Sequence, residues 1–179
     1  MRTLPLVVLL VAPLVVSAGT ARAGERGWAW PVRGPVAERF ALSAADPYAR
    51  GQHRGIDIAA RAGAAVRAAC AGRVRFAGAA GGFGRAVTVT CGPYAVTYGH
   101  LEAIATAAGE RVDRGDRIGR VGKTGRGSTP GPHLHLGVRR AADPNGYVDP
   151  LALLPTTRPP SPPPTAPARR APPPPAPRP

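Results

Sequence analysis

Residues 86–98, AVTVTCGPYAVTY, decide the fold class. On either side of Gly92-Pro93, larger apolar residues alternate with Thr or Ala with a period of two, which is the pattern of a β-strand. Val, Thr and Tyr are enriched in strands, and a Gly-Pro pair is typical of a turn. The stretch therefore predicts two strands, residues 86–90 and 94–98, joined by a turn.

Similar short alternating segments, punctuated by glycines, recur at residues 73–76, 115–122 and 133–138. No long stretch of the sequence has helical periodicity. The Ala-rich residues 58–71 come nearest to a helix, but Gly63 and the β-branched Val66 argue against one. We therefore expect an all-β fold, mostly antiparallel, built as a two-sheet sandwich or roll with an open groove.

The two ends of the chain are predicted to lie outside the folded domain. Residues 1–23 have the charged start, apolar run and Ala-x-Ala site of a secretory signal peptide. An uncleaved anchor is the alternative, although the run is short for a span of about 20 residues. No cysteine lies near the cleavage site, which argues against a lipoprotein. Residues 155–179 are mostly Pro, Ala, Arg and Thr and predict a disordered tail, either a spacer or a passive end.

Residues 24–154 are then one domain, which we expect to be secreted or otherwise extracytoplasmic and associated with the cell envelope. We expect no stable membrane insertion after processing. Of 24 Lys and Arg in the chain, two lie in residues 1–23 and four in residues 155–179, which leaves 18 against 10 Asp and Glu, a formal charge of +8. This charge suits an anionic partner such as the cell envelope, although a GC-rich genome alone would also enrich Arg. We expect no nucleic-acid binding, because no basic helix with interleaved aromatic residues is present.

The chain has two cysteines, Cys70 and Cys91. An extracytoplasmic location favours their oxidation to a structural disulfide. The loop that they enclose has roughly 20 residues, for which the chain-entropy model gives about 3 kcal/mol of stabilisation. A zinc-binding role for them is less attractive, because neither lies beside a histidine or another cysteine.

All four histidines fall in three short segments, residues 53–57, 98–101 and 131–137. Two His with one carboxylate and an open fourth position form a ligand set typical of catalytic zinc. His133 and His135 face the same side if they lie in a strand, and two ordinary solvent-facing residues are the alternative.

His53 and Asp57 are four residues apart, which returns both to one side of either a strand or a helical turn. This spacing alone is common by chance. His100 follows the predicted strand 94–98, where a lone histidine is usually a solvated turn residue. Both positions are nevertheless stronger candidates for a metal site, because the chain has no histidine outside these segments.

The order of the three segments, HRGID at residues 53–57, YGHL at residues 98–101 and GPHLH at residues 131–135, resembles the lysostaphin/LytM-type zinc metallo-endopeptidases. Members of that family hydrolyse peptidoglycan peptides and have the duplicated hybrid motif fold. Further segments that look like landmarks of the family are residues 30–34, 72–74, 119–125 and 149–151. The resemblance covers nearly all of the predicted domain, residues 28–154.

The resemblance implies that His53, Asp57 and His135 bind one zinc ion per domain, and that His100 and His133 are catalytic histidines beside it. It implies hydrolysis of amide bonds in peptidoglycan stem peptides or cross-bridges, with one histidine acting on water and the other on the developing oxyanion. The alternatives are a non-catalytic regulator or activator of other wall hydrolases, and a wall-binding or zinc-storing module. We expect a monomer.

Overall fold

Ten strands and two short 3-10 helices make up the regular structure of the part of the chain that the computed structural model describes, residues 27–43, 45–46, 51–127 and 129–157. The strands are β1 Val36–Glu38, β2 Ile56–Ala59, β3 Ala65–Arg67, β4 Gly72–Ala79, β5 Arg85–Cys91, β6 Tyr94–Ile104, β7 Arg111–Val112, β8 Arg117–Val121, β9 His133–Arg140 and β10 Tyr147–Val148. The 3-10 helices are Gly81–Phe83 and Pro150–Ala152. All strand pairs are antiparallel, so the predicted all-β, mostly antiparallel fold is confirmed.

Hydrogen bonds join the strands in the order β1-β2-β9-β6-β5-β4-β7, with β10 on β9 and with β8 and β3 branching from β6. The branch begins where β6 changes its partner, since Gly99 pairs with His135 of β9 whereas Leu101 pairs with Val121 of β8. Val66 of β3 is fully buried in the same hydrophobic cluster as the main run of strands. The branch therefore packs against the main run, and the two layers of the roll are continuous through β6.

The hydrophobic core lies between these layers. The largest fully buried side chains in it are those of Tyr98, Ile56, Ile58, Leu101, Ile118, Leu134 and Leu136. Burying a side chain of this size contributes about 1.5–3 kcal/mol relative to leaving it exposed. The hydroxyl of Tyr98 is also paired, because it accepts the backbone N–H of Ala69 at 2.8 Å.

Strand β6 is longer than the sequence predicts. The alternating pattern ends at Tyr98, but β6 continues to Ile104. The reason is a β-bulge, because Val87 pairs with Tyr98 whereas Arg85 pairs with Leu101, so β6 has one extra residue between the two pairs. His100 lies in the bulge with a φ of 60°, and it is the one non-glycine residue with a positive φ in the described part of the chain. The bulge interrupts the period of two, and this interruption hides the second half of the strand from a pattern analysis.

The predicted disulfide is present between Cys70 and Cys91, with Cα atoms 6.1 Å apart. It ties the last residue of β5 to the segment that leads into β4, and both cysteines are buried. In the described ranges, no helix is long and apolar enough to cross a membrane. The predicted signal peptide, residues 1–23, lies outside the described residues, as does all but the first part of the predicted tail.

Candidate metal centre

The pairing of β2 with β9 brings the three predicted ligands together. Asp57 of β2 lies directly opposite His135 of β9. His53 precedes β2 and is held by an isolated antiparallel bridge to Ala41. These three side chains form a buried group whose ligand atoms all lie within 4.8 Å of one another.

The three facing atoms form a tight triangle. The Oδ1 atom of Asp57 lies 2.9 Å from Nδ1 of His135 and 3.1 Å from Nε2 of His53, and these two nitrogens are 3.2 Å apart. Burial alone would raise the pKa of the Asp57 carboxyl, but hydrogen bonds from the two histidines and from Thr129 outweigh burial and hold that pKa well below its usual range. Asp57 is therefore a carboxylate at neutral pH.

The ring of His53 is oriented by the backbone. Its Nδ1 atom lies 2.8 Å from the carbonyl oxygen of Arg39. Because a carbonyl oxygen only accepts, Nδ1 carries the hydrogen and Nε2 directs its lone pair at Asp57 and His135 when the ring is neutral. Burial lowers the pKa of His53, but the hydrogen bonds to Asp57 and to Arg39 more than compensate, so the pKa is raised. The carboxylate of Asp57 therefore favours the protonated form of His53 when no metal is bound.

A zinc ion fits this triangle. Ligand atoms of a tetrahedral zinc ion with bonds of about 2.0–2.1 Å are about 3.3 Å apart, close to the 2.9–3.2 Å seen here. Two imidazole nitrogens and one carboxylate oxygen are also a donor set that zinc accepts, with a fourth position left open. Metal binding would displace the proton that the metal-free triangle holds.

His100 and His133 lie beside the triangle, with their rings 4.7 Å apart between centroids. Nδ1 of His100 donates to the carbonyl oxygen of Thr124 at 2.7 Å, and Nδ1 of His133 donates to that of Gly131 at 2.9 Å. Both Nε2 atoms then carry a lone pair when the rings are neutral. Nε2 of His133 is 3.6 Å from Oδ2 of Asp57, and it has no hydrogen-bond partner among the described residues.

The surroundings of His100 favour its neutral form. Burial lowers its pKa from the ordinary value of 6.5, and the neighbouring His133 and His135 lower it further, so that the bond to the Thr124 carbonyl does not restore it. A neutral imidazole with one lone pair directed into the groove can accept a proton. The two predicted catalytic histidines thus lie together next to the ligand triangle, as a site for proton transfer requires.

The structure adds residues that the sequence analysis missed. The Thr129 hydroxyl lies 2.6 Å from Oδ2 of Asp57 and 3.2 Å from Oε2 of Glu38. It therefore fixes the carboxylate oxygen that does not face His53 and His135. The Thr124 hydroxyl donates to the Leu101 carbonyl and accepts the N–H of Arg85, which fixes the backbone that holds His100. Thr124 falls in the segment 119–125 that resembles the family, but its contacts cannot be seen in the sequence, and no pattern marks Thr129, which lies in a loop rich in Gly, Ser and Thr.

Two glycines keep the site open. A Cβ atom on Gly55 would lie 2.7 Å from Cε1 of His135 and 2.5 Å from the Leu136 carbonyl oxygen. A Cβ atom on Gly127 would lie 2.8 Å from Cε1 of His133 and 3.5 Å from Nε2 of His100. Any side chain at these positions would displace a histidine ring or the backbone that carries it.

An open groove of about 300 Å³ runs past the site, and the residues that line it include His53, Asp57, His100, Gly127 and His135. Phe83, which is 38% exposed, stacks over the ligand His135 with ring centroids 5.1 Å apart. Arg54 lies over the Tyr147 ring, with its guanidinium carbon 5.6 Å from the ring centroid. The ligand triangle is thus accessible from solvent along an extended surface rather than enclosed.

Residues 51–150 match the family model described as Peptidase family M23. The chain belongs to peptidase family M23. The match covers both strands that carry Asp57 and His135 and all four histidines.

Among curated relatives, this M23 chain is 37% identical over 131 residues to the Lipoprotein NlpD/LppB homolog of Pseudomonas aeruginosa, covering 72% of the chain and 40% of that protein. It is 34% identical to the murein hydrolase activator NlpD of Escherichia coli, with coverage of 72% and 31%. It is 43% identical over 106 residues to the DD-carboxypeptidase/endopeptidase Mpg of Neisseria meningitidis serogroup B, with coverage of 58% and 23%. The chain thus spans less than half the length of each of these relatives.

Solved structures include similar M23-type domains. Helicobacter pylori Csd3 matches with a TM-score of 0.60 at 30% identity, over 74% of this chain and 34% of that one. A zinc-containing peptidase from Vibrio cholerae matches with a TM-score of 0.59 at 28% identity, over 70% and 39%. A zinc-containing structural neighbour agrees with the fit of zinc to the His-Asp-His triangle.

Proposed function

We propose that this M23 chain is a secreted zinc metallo-endopeptidase that hydrolyses amide bonds in peptidoglycan stem peptides or cross-bridges. The observation that supports it most is the complete site. Three ligand atoms lie 2.9–3.2 Å apart, and two further histidines, His100 and His133, lie next to them, with Nε2 of His133 3.6 Å from Oδ2 of Asp57. A domain that only bound the wall would have no use for both sets of side chains.

In the proposed enzyme, His53, Asp57 and His135 hold one zinc ion. When bound, zinc supplies Lewis-acid activation of water and of an amide carbonyl at neutral pH. Of the two remaining histidines, one would take the proton of the attacking water on its neutral Nε2 atom and pass it to the leaving amine nitrogen, whereas the other would be protonated at Nε2 and donate a hydrogen bond to the developing oxyanion. The Nδ1 bonds to the carbonyls of Thr124 and Gly131 fix the orientation of both rings, so that the Nε2 atoms are the ones available for these steps.

The two roles are not assigned individually to His100 and His133, whose surroundings in the site differ. His133 is the more buried of the two, with 1% exposure, and its Nε2 atom lies near Asp57. His100 is held at the bulge in β6, on the side of the loop that carries Gly127. Both are proposed as catalytic residues, in agreement with the roles that the sequence resemblance implies.

We further propose that the protein acts as a monomer outside the cytoplasm and that its substrate is the peptide part of peptidoglycan rather than the glycan. Glycoside hydrolysis normally uses a pair of carboxylates. Asp57 is the one carboxylate among the described residues that line the groove, and it faces the two ligand histidines. The basic domain would be attracted to an anionic wall.

A second candidate function is activation of other wall hydrolases without catalysis. It is favoured by one observation, the 34% identity to a protein named murein hydrolase activator NlpD. Such a role does not require the ligand triangle or the two flanking histidines. The presence of both sets in this chain favours catalysis.

The test combines two measurements on the purified protein. We expect about one zinc ion per chain by elemental analysis, and new peptide amino termini when purified peptidoglycan is digested. Zinc without any turnover, together with stimulation of a separate wall hydrolase, would favour the activator. Release of reducing sugars from the glycan, with the peptides left intact, would contradict both candidates.

A further inference from the structure

The groove around the ligand triangle is cationic along its whole length. Arg54 and Arg126 line it directly. A neighbouring cavity continues it past Arg54 to Arg139, and a second one continues it past Arg126 to Lys123. These two extensions share no lining residue, so they leave the groove in different directions. Apart from the ligand Asp57, no carboxylate lies among the lining residues that the structure describes for the three cavities.

At the first end, Arg54 is held in place before any ligand arrives. Its guanidinium lies over the half-buried ring of Tyr147, 5.6 Å from the centroid. Tyr147 in turn pairs with Arg139 across β10 and β9. A guanidinium that is already oriented loses less side-chain freedom on binding, and its planar fork suits a carboxylate.

At the second end, Arg126 is fixed through its backbone. Its N–H donates to the Gly82 carbonyl oxygen at 2.8 Å, which ties the loop that carries Arg126 to the opposite wall of the groove. The next residue, Gly127, lies against His133 and His100. The Arg126 side chain is exposed, so it stands beside the catalytic histidines and not within the core.

The net charge of the ligand triangle adds to the positive charge of the groove once a metal ion is bound. The triangle has one negative charge when its two histidines are neutral, and a divalent cation reverses the sign. Arg54, Arg126, Arg139 and Lys123 then surround a site that is itself positive. A neutral peptide made of glycine would gain nothing from these four cations, whereas a peptide with free carboxylates would gain at both ends.

We propose that this groove selects peptides with free carboxylates on both sides of the scissile amide, with Arg54 and Arg126 as the residues that recognise them. The substrates are then acidic stem peptides joined directly to each other, and neutral glycine bridges are excluded. This inference rests on the proposed function, since it identifies the substrate of the same site.

The test uses the zinc-loaded full chain and two matched synthetic cross-linked peptides. In both, a hydroxyethylene group replaces the scissile amide, so that binding is measured without hydrolysis. One peptide has free carboxylates on both sides of this group, and the other has the same carboxylates converted to amides. We expect calorimetry to show tighter binding of the acidic peptide by up to about 25-fold, because an exposed or half-exposed ion pair contributes up to about five-fold and two are available.

Two variants assign this preference to the proposed residues. Arg54→Gln and Arg126→Gln should each reduce the preference for the acidic peptide by about five-fold and leave binding of the amidated peptide unchanged. Arg75→Gln is the matched control, because Arg75 is exposed on β4 and lines none of the three cavities. Zinc content and melting temperature show whether each variant has kept its fold, and each of the two variants tests the proposal by itself.

Equal binding of the two peptides, or no binding of either, would overturn this inference. A preference that persists unchanged in both Arg→Gln variants would overturn it as well. The proposed catalytic function is measured in a separate assay, which follows hydrolysis of the corresponding peptides with an intact amide. Selective binding without hydrolysis would support the carboxylate-selective groove and contradict the endopeptidase.

Discussion

Asp57 and His135 lie opposite each other on β2 and β9, and their Oδ1 and Nδ1 atoms are 2.9 Å apart. Both side chains therefore depend on strand register rather than on a loop for their position. A one-residue slip in a strand turns every side chain to the other face. A shift of β2 against β9 would therefore separate Asp57 from His135 and destroy the ligand set.

Replacing Asp57 or His135 by Ala should abolish zinc binding, because each removes one of three converging ligand atoms. Zinc content after dialysis and metal reconstitution measures this, with circular dichroism to confirm the fold. A variant that is folded and still holds one zinc ion per chain would show that the ligand set is wrong.

Replacing His100 or His133 by Ala should leave zinc bound and reduce hydrolysis by about 10²–10⁴-fold, the usual contribution of a proton-transfer group. Neither residue belongs to the group of three converging ligand atoms, and each ring is held through Nδ1 by a backbone carbonyl. Zinc content and turnover are measured on the same preparations. If His133→Ala released the metal and His135→Ala retained it, the assignment of the two histidines would have to be reversed.

Replacing Thr129 by Val should weaken zinc binding by about 10–100-fold, the usual effect of losing a partner of a metal ligand. The reason is that Oδ2 of Asp57 loses a hydrogen bond of 2.6 Å. Competition with a chelator gives the affinity. Thr129→Ser is the matched control and should retain most of the affinity, since it keeps the hydroxyl. A loss in Thr129→Ser as large as that in Thr129→Val would show that the hydrogen bond to Asp57 does not account for the effect.

Replacing Gly127 by Ala should reduce hydrolysis, because the new Cβ atom would lie 2.8 Å from Cε1 of His133. Gly82 also lines the groove, but a Cβ atom there meets nothing within 4 Å, so Gly82→Ala is the matched control and should keep its activity. The measurement is the turnover rate at saturating substrate. Full activity of Gly127→Ala would mean that the loop moves away from His133 at little cost.

Replacing Cys70 and Cys91 together by Ala should lower the free energy of unfolding by about 3 kcal/mol, because the crosslink closes a loop with a sequence separation of 21 residues. Denaturant unfolding of the oxidised protein and of the double variant gives the difference. The wild-type protein under reducing conditions should resemble the double variant. No effect of a reductant on wild-type unfolding would contradict a stabilising disulfide.

Pattern alone is sufficient to predict the longer strands. Strands β4, β5 and β9 have seven or eight residues, enough for a period of two to appear. Strands β1, β3, β7 and β10 have two or three residues, too few to show any period, and tertiary pairing alone defines them. The Ala-rich stretch after Asp57 forms β2 and β3 because both lie against longer strands that were easier to predict.

The site was predictable to the extent that it depends on rare residues. Histidines occur four times in the chain, and all of them lie at the site, so their clustering was visible in the sequence. Arg39 contributes to the site through its carbonyl oxygen, which every residue has, and therefore left no trace in the sequence. Thr129 lies in a loop of common small residues, and only the three-dimensional structure shows that its hydroxyl contacts Asp57.

The extra residue in β6 has a consequence for how this fold can change. Tyr98 and Leu101 are both fully buried although they are three positions apart, which the regular alternation of a strand would forbid. His100 is thus an insertion into a strand whose core-facing residues are otherwise in regular order, and its positive φ costs about 1–2 kcal/mol. A chain without this residue could keep the same interior and gain stability while losing one proton-transfer group. Deleting this one residue would therefore remove a proposed catalytic histidine while leaving the side chains of the core in place.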